Sequence, residues 1–233
     1  MGIPYFHVIF FIIILELKLM KTYKVANIAS QQIILSGKGD DMQWDKATEI
    51  TDFCSPWDDA PIKQIAFKAL WSDSHLYLKF KVADSEVHIN KSDSSICTET
   101  IGESDRVELF FRTNDQLNPY YCLEIDPSSR VMDFKAKPNQ DFDFDWQWPT
   151  EDLEVTSHIA DDHFTVEIGI SLKSLKDFEL LKNNVIETGI YRAKYNKQAN
   201  GSFEPTWIPW VNPQTETPNF HIASSFGKLE FVK

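Results

Sequence analysis

The segment DFDFDWQWP, from Asp141 to Pro149, alternates acidic and aromatic side chains almost residue by residue. Successive side chains of an extended strand point to opposite faces, so the pattern predicts rings on one face and carboxylates on the other. The four rings are those of Phe142, Phe144, Trp146 and Trp148. Exposed rings can cover the C–H face of a sugar, and carboxylate oxygens can bind calcium.

An edge strand explains the same segment without any ligand, because its rings would pack on the core while its carboxylates are solvated. This second interpretation is favoured for Asp141, Asp143 and Asp145, since three like charges alone do not make a metal site. Both interpretations stay open for Trp146 and Trp148.

A second set of polar residues lies in the strand-like segment SDRVELFF and the segment YYCLEIDP that follows it. Alternation places Arg106 and Glu108 on one face, where Glu108 would meet Glu124 or Asp126 of the next strand. Arg106 or Arg192 would then neutralise these carboxylates. Such a cluster can hydrogen-bond hydroxyl groups of a ligand. A structural network of ion pairs is an equally good explanation.

Two tryptophans, Trp207 and Trp210, lie three positions apart in the segment WIPWVNP. This odd spacing puts them on opposite faces of an extended chain, so at most one belongs to the core and the other is exposed. We expect Trp210 to lie nearer a ligand, because the polar residues Asn212 and His221 follow it. Burial of both rings is equally compatible with the pattern.

The elements that would position these residues are short strands joined by polar turns. Ile65 to Trp71 and His75 to Val82 alternate in the manner of half-buried strands around a Ser-Asp-Ser turn, which predicts a hairpin. Helix is scarce, and Leu172 to Leu181 is the best candidate. This pattern is typical of an antiparallel β-sandwich. The other predicted strands are 105–111, 120–125, 131–136, 153–159, 164–170, 189–195 and 228–232.

The composition narrows the class of ligand. The chain has 233 residues, a net charge of −12 and 13% aromatic residues. So negative a surface repels phosphate backbones and anionic membranes, whereas neutral sugars and cations are compatible with it. The three cysteines, Cys54, Cys97 and Cys122, have no CxxC spacing, so neither a disulfide framework nor a zinc site is indicated.

The N-terminal residues 1–22 differ from the rest of the chain. The apolar run from Val8 to Leu15 is short for a membrane span, and it lacks the basic residues and the cleavage site of a good signal peptide. We expect an N-terminal extension or a poor signal-like segment, followed by one domain over residues 23–233. The protein would be extracytoplasmic if the run is a signal, and cytoplasmic if translation starts at Met20.

Four segments together carry a resemblance to a known family. They are ALWSDSHLYLKFKVAD around Trp71, SDRVELFF, YYCLEIDP, and the closing pair WIPWVNP and NFHIASSFGKLEF. In this order and spacing they resemble family 9 carbohydrate-binding modules over residues 37–231. The chain departs from the family where a tryptophan usually precedes the acidic segment, because residues 96–102 contain no aromatic side chain. The second aromatic residue of the family's clamp falls near Phe220 or His221.

The resemblance implies an all-β fold, an antiparallel β-sandwich of jelly-roll or immunoglobulin-like type. It also implies non-catalytic binding of plant-type oligosaccharides or sugar chain ends, a role in polysaccharide catabolism beside a separate glycoside hydrolase, and possible structural calcium. Arg192 and Asn196 belong to the family-like strand whose polar side chains face the ligand. The predicted ligand-binding residues are Trp210, Trp207, Trp146, Trp148, Arg106, Glu108, Glu124, Arg192, Asn196, Phe220 and His221.

Two alternatives stay open. A glycoside hydrolase or xylanase-related accessory protein would use two carboxylates around one bond; Glu108 and Glu124 could form such a pair, although nothing in the sequence sets them apart from the other carboxylates. A haem-binding sandwich would need axial ligands, for which Met132 and His221 are the candidates. No catalytic triad, HExxH motif or phosphate-binding glycine loop occurs in the sequence.

Overall fold

The chain forms twelve β-strands and two short α-helices in the residues described by this computed structural model, which are 20–59, 61–91 and 97–233. The first six strands are β1 (Thr22–Asn27), β2 (Ile65–Trp71), β3 (His75–Ala83), β4 (Arg106–Arg112), β5 (Tyr120–Ile125) and β6 (Val131–Lys137). The last six are β7 (Asp141–Asp143), β8 (Leu153–Ile159), β9 (His163–Ser171), β10 (Val185–Lys197), β11 (Phe203–Pro209) and β12 (Gly227–Val232). The helices are α1 (Cys97–Gly102) and α2 (Leu172–Asp177).

The predicted hairpin of β2 and β3 is confirmed, with its turn where the sequence places it. Ser72 donates its backbone N–H to the carbonyl of His75 at 2.8 Å, and its hydroxyl accepts from two backbone N–H groups of the turn. The predicted helix from Leu172 begins as expected, because Ser171 caps it by accepting from the N–H of Ser174. It ends at Asp177, four residues early, since Glu179 has a positive φ of 57°. Among the described residues, no helix has the length and apolarity needed to cross a membrane.

The strands form one continuous sheet in the order β7-β6-β5-β4-β10-β12-β1-β2-β3-β9-β8, with β11 paired to β10. The all-β prediction is confirmed, but the sheet is mixed rather than wholly antiparallel. Strand β1 runs parallel to both β12 and β2. A parallel pair needs a long connection, which residues 28–64 supply between β1 and β2. The other pairings between the described strands are antiparallel.

The apolar run from Val8 to Leu15, which the sequence singled out, lies outside the described residues.

The curled sheet has two halves, one on each side of β1, and these halves enclose a common core. Strands β2, β3 and β9 supply Phe67, Leu78 and Val166 from one half. Strands β4, β5 and β10 supply Leu109, Leu123 and Ile190 from the other half. Burial of each such side chain contributes about 1.5–3 kcal/mol relative to leaving it in water, so this apolar layer holds the halves together.

A second layer covers the outer face of β4, β5, β6 and β10. The segment between β11 and β12 crosses this face and places Phe220 and Phe226 over Phe110 and Tyr191. As a result, every residue of β4 is buried, on both faces of the strand. The alternation predicted for β4 is confirmed, since Val107 and Leu109 belong to the inner core while Phe110 belongs to the outer layer. The polar residues of β4 therefore lie beneath a covering segment.

Candidate functional site

A pocket of about 200 Å³ opens on the outer face of the sheet, between β4, β5, β11 and the covering segment. It brings together six of the residues predicted from the sequence. These are Arg106, Glu108, Glu124, Trp207, Phe220 and His221. The remaining lining residues are Gln140, Pro218 and Asn219.

Strand pairing places the three charged residues of the pocket side by side. Glu108 of β4 lies directly opposite Glu124 of β5, and Arg106 precedes Glu108 by two positions on the same face. The Nε atom of Arg106 lies 2.9 Å from Oε1 of Glu108 and 2.7 Å from Oε2 of Glu124. All three residues are at most 5% exposed. A single buried guanidinium thus faces two buried carboxylates.

This ion cluster leaves polar atoms without a hydrogen bond. The one N–H of Nε cannot point at two oxygens, and within the described structure neither that nitrogen nor the two facing oxygens has an aligned hydrogen-bond partner. Arg106 is anchored elsewhere, because its Nη1 atom donates to the carbonyl of Gly102 at 2.8 Å. The cluster is therefore held by attraction between opposite charges rather than by aligned hydrogen bonds.

The electrostatics of the pocket favour neutral forms of its acids and of its histidine. Burial raises the pKa of Glu108 to about 8, and the neighbouring charge of Glu124 adds to this rise against the opposing effect of Arg106. Burial also raises the pKa of Glu124. Burial, together with the positive charge of Arg106, lowers the pKa of His221 to about 4, so its imidazole is neutral at pH 7. Its Nδ1 atom lies 3.0 Å from the hydroxyl oxygen of Tyr120.

An aromatic wall completes the pocket. The guanidinium carbon of Arg106 lies 5.4 Å from the ring centre of Trp207, a cation–π contact. The ring of Phe220 meets Trp207 nearly at a right angle, at 5.7 Å, and stacks on Tyr191 at 4.1 Å. These contacts fix the half-buried indole beside the charged residues, where a ligand ring can lie against it.

The order expected for the two tryptophans of WIPWVNP is reversed. Trp207 lines the pocket, whereas Trp210 is 2% exposed and belongs to the inner core. The odd spacing does place them on opposite faces, as predicted. Trp210 lies on the inner face, and its ring passes so close to Gly227 that a Cβ there would be 2.5 Å from it.

The predicted alternation of DFDFDWQWP does not persist along the segment. Strand β7 ends at Asp143, and a turn at residues 144–145 carries the chain to the other face. Phe142 therefore contacts His221 at 4.9 Å in the outer layer, whereas Trp146 and Trp148 pack on the inner core. The indole N–H of Trp148 donates to the hydroxyl of Ser174 at 3.1 Å. The four rings do not form one platform.

The acidic row of the same segment is solvated, as its edge-strand interpretation expects. Asp141, Asp143 and Asp145 are all exposed. Throughout the part of the chain that the structure describes, no group of three or more His, Cys, Asp or Glu residues has the geometry to hold a metal ion.

Arg192 and Asn196 lie away from the pocket. Arg192 contacts Asp84 through Nη2 at 2.5 Å, and Lys194 bridges Asp84 and Asp105 at 3.0 and 2.9 Å. Asn196 donates to the hydroxyl of Thr206 at 3.0 Å across the β10–β11 hairpin. These contacts bind the strands to one another.

Sequence reasoning missed Gln140 and Asn219. Asn219 stands next to the predicted Phe220, and its side-chain oxygen accepts from the backbone N–H of His221 at 2.9 Å. That adjacency was a usable signal. Gln140 reaches the pocket from the connection between β6 and β7, with a positive φ of 57°, and nothing in its sequence context points to this position.

Known proteins with this fold bind sugars. Two structures of a carbohydrate binding module family 9 from Caldicellulosiruptor kristjanssonii, in complex with glucose and with cellotriose, match at TM-scores of 0.57 each. The glucose complex is 15% identical to this chain, and the match covers 91% of this chain and 96% of the other. The cellotriose complex is 16% identical, and the match covers 91% of this chain and 93% of the other. A candidate carbohydrate-binding protein from Bacteroides uniformis matches at a TM-score of 0.66 and 16% identity, over 91% of this chain and 100% of its own.

At these identities the structural likeness establishes the fold alone. No curated protein matches the chain. Residues 35–233, however, match the family described as carbohydrate family 9 binding domain-like. This confirms the resemblance carried by the four sequence segments. Because the match spans most of the chain, the protein belongs to the carbohydrate family 9 binding domain-like family.

Proposed function

We propose that this protein is a non-catalytic carbohydrate-binding module whose pocket at Arg106 and Trp207 binds one sugar unit at the end of an oligosaccharide. One observation carries the proposal. A guanidinium and two carboxyl groups, those of Arg106, Glu108 and Glu124, line one small pocket together with the half-buried indole of Trp207.

Sugar hydroxyls match this set of groups because each hydroxyl both donates and accepts. A guanidinium N–H donates to one lone pair, and a carboxylate oxygen accepts from the O–H. The C–H face of the same ring can lie on Trp207. Pockets for drug-sized ligands measure roughly 300–1,000 Å³. A pocket of about 200 Å³ therefore suits a single sugar ring better than a long stretch of polysaccharide.

The arrangement of the two carboxylates supports binding rather than hydrolysis. Glycosidases place two carboxyl groups on either side of the scissile bond. Here Glu108 and Glu124 are neighbours on paired strands, and both face the same Arg106 nitrogen. In this proposal residues 23–233 are the binding unit, and hydrolysis of the same polysaccharide belongs to a separate glycoside hydrolase.

Isothermal titration calorimetry with glucose, cellobiose, cellotriose and xylotriose tests the proposal. We expect saturable binding of at least one of these sugars, with one site per chain. Borohydride-reduced cellotriose distinguishes the two chain ends, because reduction opens only the reducing-end ring: lost binding assigns the pocket to the reducing end, and retained binding assigns it to the non-reducing end. The absence of heat for every sugar, confirmed by unchanged tryptophan fluorescence, would contradict the proposal.

A further inference from the structure

The pocket would carry more negative than positive charge if all its acids were ionised. Its ionisable lining groups are Arg106, Glu108, Glu124 and His221, and the other lining side chains are uncharged. Burial keeps His221 neutral by lowering its pKa to about 4. Two carboxylates therefore share one guanidinium, and one negative charge is left over when both are ionised.

The groups around the carboxylates do not correct this imbalance. Tyr120 contacts His221. Tyr195 and Cys122 lie near the two glutamates, and both stay neutral because burial raises their pKa. Arg106 is the one positive group that the structure places against the two carboxylates among the described residues. A buried charge without a partner is costly, so the site must take up either a proton or a cation.

The carboxyl groups that line the pocket show which kind of ligand fits. Glu108 and Glu124 offer no hydrogen-bond donor when ionised, because a carboxylate oxygen can only accept. A hydroxyl offers one O–H donor. An ammonium group offers three N–H donors and the missing positive charge. Hydrogen bonds between ionised partners are roughly twice as strong as neutral ones.

We propose that the pocket selects a sugar that carries a primary amino group, which binds as an ammonium against the pocket side of Glu108 and Glu124, near the ring of Trp207. This inference rests on the proposed sugar-binding function and names its substrate class. The ammonium enters already protonated, and the proton that the empty carboxylate pair holds near neutral pH leaves to solvent. No covalent bond forms or breaks. A sugar carboxylate is disfavoured, because the two glutamates repel it.

Calorimetry of the full chain tests the proposal with four sugars: glucosamine, glucose, N-acetylglucosamine and glucuronate. The titrations are run at about pH 6.5, because Glu108, whose pKa is about 8, is then protonated in the empty pocket. We expect glucosamine to bind roughly tenfold or more tightly than glucose. N-Acetylglucosamine lacks the charge and should resemble glucose, and glucuronate should bind most weakly. Titration in two buffers of different ionisation enthalpy should show release of close to one proton with glucosamine and almost none with glucose.

The Glu108→Gln variant should lose both the preference for glucosamine and the proton release, and Glu204→Gln is the matched control. Glu204 is exposed on β11, so its variant changes net charge equally but should keep both properties. If Glu108→Gln does not fold, Glu124→Gln takes its place in the same titrations. The number of protons that the unmodified protein releases on binding glucosamine also tests the proposal without any variant. Glucose binding as tightly as glucosamine overturns this inference and leaves the proposed function standing. Failure of all four sugars and of cellotriose overturns both.

Discussion

Two consecutive residues, Asp105 and Arg106, belong to two different clusters of buried charge. Asp105 joins the paired cluster, which consists of Asp84, Asp105, Arg192 and Lys194, with the half-exposed Lys63 at 3.3 Å from Asp84. Arg106 joins the pocket cluster, which consists of Arg106, Glu108 and Glu124. The first has three positive and two negative residues, and the second has one positive and two negative residues.

The clusters differ in hydrogen bonding as they do in charge. In the paired cluster every carboxylate oxygen accepts a hydrogen bond. Asp84 accepts from the backbone N–H of Glu86 at 2.9 Å, and Asp105 accepts from that of Tyr195 at 2.6 Å. Their other oxygens accept from Arg192 and Lys194. In the pocket cluster two carboxylate oxygens have no aligned partner within the described structure. Positive groups match every carboxylate of the paired cluster, which fits a role in stabilising the fold, whereas carboxylates outnumber positive groups in the pocket cluster, which fits the proposed role in ligand binding.

The largest effect should follow from unbalancing the paired cluster. Asp84→Asn removes a fully buried charge and leaves Arg192 and Lys194 facing a single carboxylate. Breaking a buried ion pair from one side typically costs about 3–5 kcal/mol. We expect a loss of this size in the free energy of unfolding, measured by urea denaturation. Asp45→Asn, at an exposed aspartate, is the control and should change it by less than about 0.5 kcal/mol.

Acidification should weaken the paired cluster in the same direction. Burial tends to raise the pKa of Asp84, but the Glu86 N–H, Lys194 and Arg192 together outweigh it and hold that pKa below its usual range. The stabilisation is therefore complete above the ordinary pKa of aspartate and is lost as pH falls towards the lowered value. Equal acid sensitivity of Asp84→Asn and the unmodified protein would show that this cluster does not act as described.

The next effect concerns the aromatic wall of the pocket cluster. Trp207→Ala removes the ring beside Arg106, and the loss of a stacked aromatic side chain costs roughly 1–3 kcal/mol of binding free energy. We expect sugar affinity to fall correspondingly in calorimetry. Trp146→Ala is the matched control, because its indole packs on the inner core on the other face. Equal losses of affinity in both variants would contradict the assignment of the pocket.

Per pH unit, a smaller effect links the pocket cluster to the pH dependence of stability. Glu108 ionises near 4.5 when unfolded, and burial raises its pKa to about 8 in the fold. Between these values the folded state binds more protons, so the free energy of unfolding falls as pH rises. The slope is at most about 1.4 kcal/mol per pH unit. Glu108→Gln should abolish this slope in urea denaturation across that window, and an unchanged slope would assign it to another group.

The smallest effect should come from the rim of the pocket. Gln140 lines the pocket but is exposed, so Gln140→Ala removes one polar contact to a ligand without disturbing the core. One hydrogen bond contributes about 0.5–1.5 kcal/mol, so sugar affinity should fall several-fold. Gln116→Ala, at an exposed glutamine outside the pocket lining, serves as the control in the same titration. A gain of sugar affinity in Gln140→Ala would instead show that the Gln140 side chain hinders entry of the sugar into the pocket.

The sequence predicts most reliably the face on which a side chain lies and the residue opposite it on the next strand. Alternation in β4 correctly separated Leu109 from Glu108, and the next strand placed Glu124 opposite Glu108. These inferences work because period and register are local properties of paired strands. Alternation failed in DFDFDWQWP, where it was extended past a turn at residues 144–145 that the aromatic pattern conceals.

Contacts between distant segments were beyond this reasoning. Trp207 and Trp210 could be assigned to opposite faces, but which face carries the pocket depends on the segment that covers β4 and β5. Gln140 reaches the pocket through a connection of irregular backbone. The parallel pairing of β1 was missed for the same reason, because its partners β2 and β12 lie far away in the chain.

The position of β1 has a consequence for how the molecule can come apart. Six residues, Thr22–Asn27, form the only described strand that hydrogen-bonds to both halves of the sheet. If β1 detaches, β2 and β12 each acquire a bare edge with unsatisfied backbone groups, the kind of surface that recruits strands from other molecules. Because β1 also carries Tyr23 and Val25 of the inner core, hydrogen exchange at β1 would report on a detachment that bares these edges and opens the core together.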